Sequence, residues 1–298
     1  MLITEQAYLS EVAAKEGFRL GSFDYNVDRQ AAWLGGLKRN YKIIWISDMH
    51  IIFQTEEVAA DCREAIDERI RAFTDTRGLR TPENWLELAG RLDSMGGDLI
   101  VLGGDMMDFC SERNIACLRE GLAKIKTPVM YIRGDHDNSP YYLDKTTYGE
   151  CRERHNAIGN NANIIMHEFD EFIVLGFNDS TRQLTEAGLA EAKRIFDMGK
   201  PIILMMHVPI KSLVEDRLAE ESLKTHGNRV LLWGEGNYYN PNETTAEFLK
   251  MVLDEDSPVV SVFAGHMHSS CTEMLNGKIS QHVFSYAAAD FIGEITVG

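Results

Sequence analysis

Ile43-Ile44-Trp45-Ile46 runs directly into Ser47-Asp48-Met49-His50. The first four residues have the length and β-branched content of a buried strand. The next four put a carboxylate and an imidazole where that strand must end. The same joint recurs four times. Leu99-Ile100-Val101-Leu102 leads into Gly103-Gly104-Asp105-Met106-Met107-Asp108, and Val129-Met130-Tyr131-Ile132 into Arg133-Gly134-Asp135-His136-Asp137. Ile202-Ile203-Leu204-Met205-Met206 leads into His207-Val208-Pro209, and Val259-Val260-Ser261-Val262-Phe263 into Ala264-Gly265-His266-Met267-His268. Five expected strands therefore end in Asp or His, and carboxyl ends of strands are where α/β proteins build their sites.

Segments with helical spacing lie between these runs. Residues 56–73 put Val58, Cys62, Ile66 and Ile70 on one face, and residues 85–92 do so with Trp85, Leu88 and Leu92. Residues 185–198 and 244–253 are the other two helical segments. Phe172-Ile173-Val174-Leu175 and His282-Val283-Phe284 read as further strands. Strands alternating with helices predict an α/β architecture. No repeat or linker divides the chain, so residues 1–298 are read as one domain with an N-terminal extension over 1–40. Residues 211–242 break the rhythm: they are polar, hold Gly227, Gly234 and Gly236, and read as a lid or rim. Tyr238 and Tyr239 in that segment could stack on a base, although such a pair is more often ordinary packing.

The formal net charge of −16 over 298 residues argues against a general nucleic-acid binder, which carries a basic footprint. A local positive site made by metal ions stays compatible with that charge. The five cysteines are odd in number and contain no CxxC pair, so they read as thiols in a reducing compartment. The first residues show no secretion signal, and no apolar run approaches the ~18–20 residues of a membrane span. A cytoplasmic location follows as the expectation. Oligomeric state leaves no trace in the sequence.

The spacing within the strand-end clusters is chemically specific. Asp48 and His50 are two apart, as are His266 and His268, which on extended backbone would turn both side chains the same way. Glycines precede Asp105, Asp135 and His266, where the chain must turn sharply or approach a ligand closely. Five of the nine histidines fall in these clusters. Carboxylate plus imidazole suits zinc, manganese or iron rather than an all-oxygen calcium site. Asp137, Asp179, Arg133 and His282 are better read as structural.

The ordered set DxH, GDxxD, G-[N/D]-HD, an isolated His after a strand, and GHxH resembles the calcineurin-like metallophosphoesterase superfamily. It extends from Asp48 to His268, about three quarters of the chain. The stretch Leu175-Gly176-Phe177-Asn178-Asp179-Ser180 is similar, more weakly, to the bacterial phosphodiesterase branch. The resemblance implies a sandwich of two β-sheets flanked by helices, with two metal ions at one edge. It implies that Asp48, His50 and His268 hold the first ion, that Asp135, His207 and His266 hold the second, and that Asp105 bridges them. His136 takes the position of the catalytic histidine and Asp108 that of the acidic residue orienting it. A pair of ions lowers the pKa of a shared water from about 15.7 toward 7 and clamps both oxygens of an in-line displacement. The implied activity is hydrolysis of a small-molecule phosphate ester. The alternatives are a phosphomonoesterase and a non-catalytic metal-binding interaction module on the same fold.

One residue departs from the pattern. The family usually has Asn where this chain has Asp135. An ionised Asp loses the NH₂ donor that Asn turns toward a phosphate. It also removes the surplus positive charge that two divalent ions would otherwise leave. The expectation is a site that favours singly charged diesters or holds one trivalent iron.

Overall fold

A computed structural model describes residues 25–159, 162–227 and 229–298. Residues 1–24 of the expected N-terminal extension lie outside the described residues. Eleven strands, two sheets and seven α-helices occur among those described. The first sheet contains β1 (Asn26–Ala32), β2 (Tyr41–Ile46), β3 (Leu99–Gly103), β4 (Val129–Ile132) and β11 (Phe291–Val297), in the order β1-β11-β2-β3-β4. The second contains β5 (Ile164–Glu168), β6 (Ile173–Phe177), β7 (Ile202–Met206), β8 (Val259–Ala264), β9 (Cys271–Met274) and β10 (Ser280–Val283), in the order β5-β6-β7-β8-β10-β9. Both sheets are mixed: β2, β3 and β4 run parallel to one another, as do β6, β7, β8 and β10.

The apolar runs need no alternation because both faces of these strands are covered. Ile43, Trp45, Leu99 and Val101 point between the sheets, where they meet Val174, Ile203, Met205 and Phe263. Their neighbours Ile44, Ile46, Ile100 and Leu102 point the other way. They pack on Trp85 and Leu88 of α2 (Thr81–Ala89) and Leu118 of α3 (Glu112–Leu122). On the far side Leu175, Leu204 and Met206 pack on Leu189 and Ile195 of α5 (Glu186–Phe196) and on Phe248 and Val252 of α7 (Glu243–Leu253). The result is a helix–sheet–sheet–helix sandwich, as expected.

The remaining helices are α1 (Arg63–Ala72), α4 (Tyr148–Asn156) and α6 (Arg217–Thr225). Among the described residues no helix is long and apolar enough to cross a membrane. The irregular segment 211–242 differs from its expectation by containing α6 and by burying Trp233 fully in the second sheet's outer core. All five cysteines are free, three of them buried.

Candidate metal centre

The loops after β2, β3, β4, β7 and β8 meet at one edge of the sandwich. Asp48 and His207 are fully buried there, and His50 and Asp105 nearly so. Asp135, His136, His266 and His268 form a half-buried rim above them. Two groups of inward-facing ligand atoms result: Asp48, His50 and His268, and Asp105, His207 and His266. A third group joins Asp105, Asp135 and His136, and a fourth joins His50, Asp108 and His136.

Distances are short throughout. His50 Nε2 lies 3.2 Å from His268 Nε2, which is 3.3 Å from Asp48 Oδ1. His207 Nε2 lies 3.1 Å from Asp105 Oδ2 and 3.3 Å from His266 Nδ1. The groups abut, because Asp48 Oδ1 is 4.0 Å from His207 Nε2. Asp105 stands with the second group, and Asp135 meets it through Asp105 rather than through His207 and His266.

The tautomers are fixed from behind. His207 Nδ1 donates to the Gly103 carbonyl oxygen at 2.9 Å, and His50 Nδ1 donates to Asp108 Oδ1 at 2.9 Å. Each therefore turns an Nε2 lone pair inward, the usual arrangement behind a metal-binding histidine. Asp48 Oδ1 is buried with no hydrogen-bond partner. Converging lone pairs and an unsatisfied buried carboxylate oxygen form a donor set that a divalent cation fits.

The backbone reaches this geometry by a route the i, i+2 argument missed. Asp48, His50, Asp105, His266 and His268 all have positive φ, between 48° and 70°. The pairs converge through left-handed loop backbone, not along extended strand. Such conformations cost about 1–3 kcal/mol each and cluster at functional sites. Backbone hydrogen bonds hold them: Asp48 N donates to Gly104 O at 2.9 Å and His50 N to Asp105 O at 3.0 Å.

Two of the glycines are required by crowding. A Cβ on Gly265 would lie 2.6 Å from Asp48 Oδ2, and one on Gly134 would collide with the Asp105 carboxylate and sit 2.7 Å from the His207 ring. Gly134→Ala is expected to displace Asp105 and weaken manganese binding about 10- to 100-fold, the scale for disturbing a ligand's support. Calorimetric titration checks this; unchanged affinity in a folded variant contradicts it.

His136 Nδ1 donates to the main-chain oxygen of Asp108 at 2.8 Å, which leaves Nε2 available. Burial would lower its pKa, but the carboxylates of Asp105, Asp108 and Asp135 outweigh burial and raise it. The expected partnership with Asp108 is therefore made mainly by the backbone. The Asp108 carboxylate is 3.5 Å from His136 Nδ1 and binds His50 and Arg69 more closely, with Arg69 Nε at 2.6 Å. Burial would raise the pKa of Asp108, but His50 and Arg69 hold it well below the usual carboxylate range.

Arg69 and Arg182 escaped the sequence reading. Arg69 lies on the polar side of α1, and no local pattern points to it. Arg182 follows the Asn178-Asp179-Ser180 stretch and places Nη2 2.7 Å from Asp135 Oδ2. This changes the charge count, because the Arg182 guanidinium returns the positive charge that Asp135 removes. Asp137 fastens loops, accepting from Met107 N at 2.9 Å and Gly134 N at 3.0 Å. Asp179 does the same for Val208 N at 2.9 Å and Trp233 Nε1 at 3.3 Å. His282 ties the sheets together through Asp28, at 2.9 Å.

The chain is similar to two solved phosphatase structures. A purple acid phosphatase from yellow lupin (Lupinus luteus) seeds is 12% identical over 83% of this chain and 44% of its own, with a TM-score of 0.50, a likeness of fold alone. A dimetal phosphatase from Danio rerio is 10% identical over 84% of this chain and 88% of its own, with a TM-score of 0.49. No curated protein sequence matches. Residues 41–270, about three quarters of the chain, match the family described as calcineurin-like phosphoesterase. The chain belongs to the calcineurin-like phosphoesterase family.

Proposed function

We propose that the chain hydrolyses phosphate esters, diesters above all, at a pair of metal ions. The family implies hydrolase activity and typically binds two metals. Asp48, His50 and His268 would hold one ion and Asp105, His207 and His266 the other, with Asp135 completing the second set and Asp105 facing both. When bound, two such ions supply a nucleophile at neutral pH and neutralise charge on the phosphoryl group. Manganese, iron and zinc all suit these donors.

The chain's own groups do the rest. Asp108, through its carbonyl oxygen, aims His136 so that Nε2 carries a proton into the site. The oxygen of water ends on phosphorus, one of its protons passing to solvent; the bond from phosphorus to the alcohol oxygen breaks, and that oxygen takes the proton from His136 Nε2, which solvent then returns. The Asp108 carboxylate, clamped by Arg69, orients His50. Residues 211–242 serve as a rim rather than a lid, because buried Trp233 is tied to Asp179.

The observation that carries the diester reading is spatial. A cavity of about 580 Å³ opens beside Asp135, next to the reacting centre, and leaves room for a second ester arm. Arg182 favours the second reading, a phosphomonoesterase, because its charge suits a dianion. Hydrolysis of bis-p-nitrophenyl phosphate and p-nitrophenyl phosphate by manganese-loaded protein decides between them. Faster diester turnover is expected; faster monoester turnover selects the second reading. Asp135→Asn is expected to raise the monoester rate by removing a negative charge that repels a dianion. An unchanged monoester rate at unchanged metal content contradicts this.

A further inference from the structure

The same cavity has a chemistry of its own, sharing Asp135 alone with the proposed metal ligands. Its wall contains three tyrosines, Tyr141, Tyr148 and Tyr238, together with Arg152, Arg182 and Asp135. Tyr148 and Tyr238 are 64% and 46% exposed, high for large aromatic side chains. Tyr141 stands edge-on to His136 with ring centroids 5.2 Å apart, so the aromatic wall begins at the catalytic position. Arg182 organises the mouth. Its Nη2 bonds Asp135 at 2.7 Å and the Tyr141 hydroxyl at 3.2 Å, and its Nη1 bonds the Tyr238 hydroxyl at 3.3 Å. Its guanidinium lies 5.3 Å from the Tyr238 ring centroid. Its backbone is held at φ +60°, a conformation a non-glycine residue keeps only where its surroundings enforce it.

We infer that this cavity is a subsite for a flat aromatic group carried on one arm of the substrate ester, of the kind a nucleoside provides. The inference rests on the phosphoesterase reading and adds the substrate class. Exposed tyrosine faces offer stacking surfaces for any planar ring, independent of sequence or substituent. A cation between those rings and the metal side suits an arm whose phosphate lies inward and whose ring lies outward. In a chain of net charge −16, a guanidinium at the mouth also offsets the repulsion an anionic ester meets on approach. The volume of about 580 Å³ fits a group of nucleoside size.

Two probes of equal charge isolate the ring: thymidine 5′-phosphate and deoxyribose 5-phosphate. Calorimetric titration of manganese-loaded protein is expected to show the nucleotide binding about 5- to 100-fold tighter, the range for stacking one base. Tyr148→Ala/Tyr238→Ala, both at exposed positions, is expected to abolish that preference, so that the two probes bind the variant equally. Circular dichroism checks that the variant is folded. Equal affinities in the wild type, or an undiminished preference in the double variant, overturn the subsite. Bis-p-nitrophenyl phosphate hydrolysis is followed in parallel. Turnover without nucleotide preference removes the subsite and keeps the hydrolase; nucleotide preference without turnover of any ester keeps the subsite and removes the hydrolase.

Discussion

His136→Ala is expected to bind both metal ions as the parent does and to lose about 10²–10⁴ in diester turnover, the contribution of a positioned general acid. The separation of the two readouts is the point. His136 lies beside the metal groups, but its Nδ1 is committed to the Asp108 carbonyl oxygen at 2.8 Å. Its remaining nitrogen is the atom proposed to face the leaving group. The loss should depend on that leaving group. An ester with a good leaving group, such as nitrophenolate, needs little protonation and should lose less than one with a poor alkoxide. Metal content by atomic absorption and rates on two such esters check this. A variant with full activity on both esters contradicts the role, and one that has lost its metals shows that His136 supports the ligands instead.

Asp105→Ala carries the larger expected effect. Asp105 is buried and lies 3.1 Å from His207 Nε2, and its Oδ1 accepts from the backbone N–H of His136 at 3.1 Å. Removing the carboxylate takes the one anion that faces His207, His266, Asp135 and His136 together. The variant is expected to lose at least one metal ion and to fall to the background rate. Without metal the pKa of water returns from about 7 to 15.7, so the nucleophile at neutral pH is lost by about eight powers of ten. Stoichiometric metal binding with undiminished turnover would remove Asp105 from the centre.

Most of this site was legible because its residues follow strands that are apolar on both faces. The runs ending at Ile46, Leu102, Ile132, Met206 and Phe263 needed no structural information to find, since burial between a second sheet and a helix layer leaves them almost no polar positions. Strand β1, Asn-Val-Asp-Arg-Gln-Ala-Ala, was not legible: it is an edge strand, largely solvated, and its pairing with β11 is a long-range fact. Helix α4 was equally silent, because Tyr-Gly-Glu-Cys-Arg-Glu-Arg-His-Asn carries no apolar stripe. A capping box between Thr147 and Glu150 starts it.

The positive φ at Asp48, His50, Asp105, His266 and His268 was invisible for a different reason. Asp and His enter that region more readily than most non-glycine residues, but no local pattern marks these five, which the neighbouring loops hold there. The convergence of these side chains could therefore be read while the stated geometric reason for it was incomplete. Arg182 shows the same limit in the energetics. It is 47 residues from Asp135 in sequence, and only the fold places its charge against that carboxylate. A charge count from the motifs alone gave a neutral site; the folded chain restores one positive charge.

The most direct test of the account is metal stoichiometry followed together with turnover. Metal-stripped protein is titrated with manganese while bis-p-nitrophenyl phosphate hydrolysis and bound metal are both measured. The account predicts two ions per chain and hydrolysis that reaches its maximum only with the second equivalent. Hydrolysis that persists in stripped protein, or that is complete with a single bound ion, would contradict it.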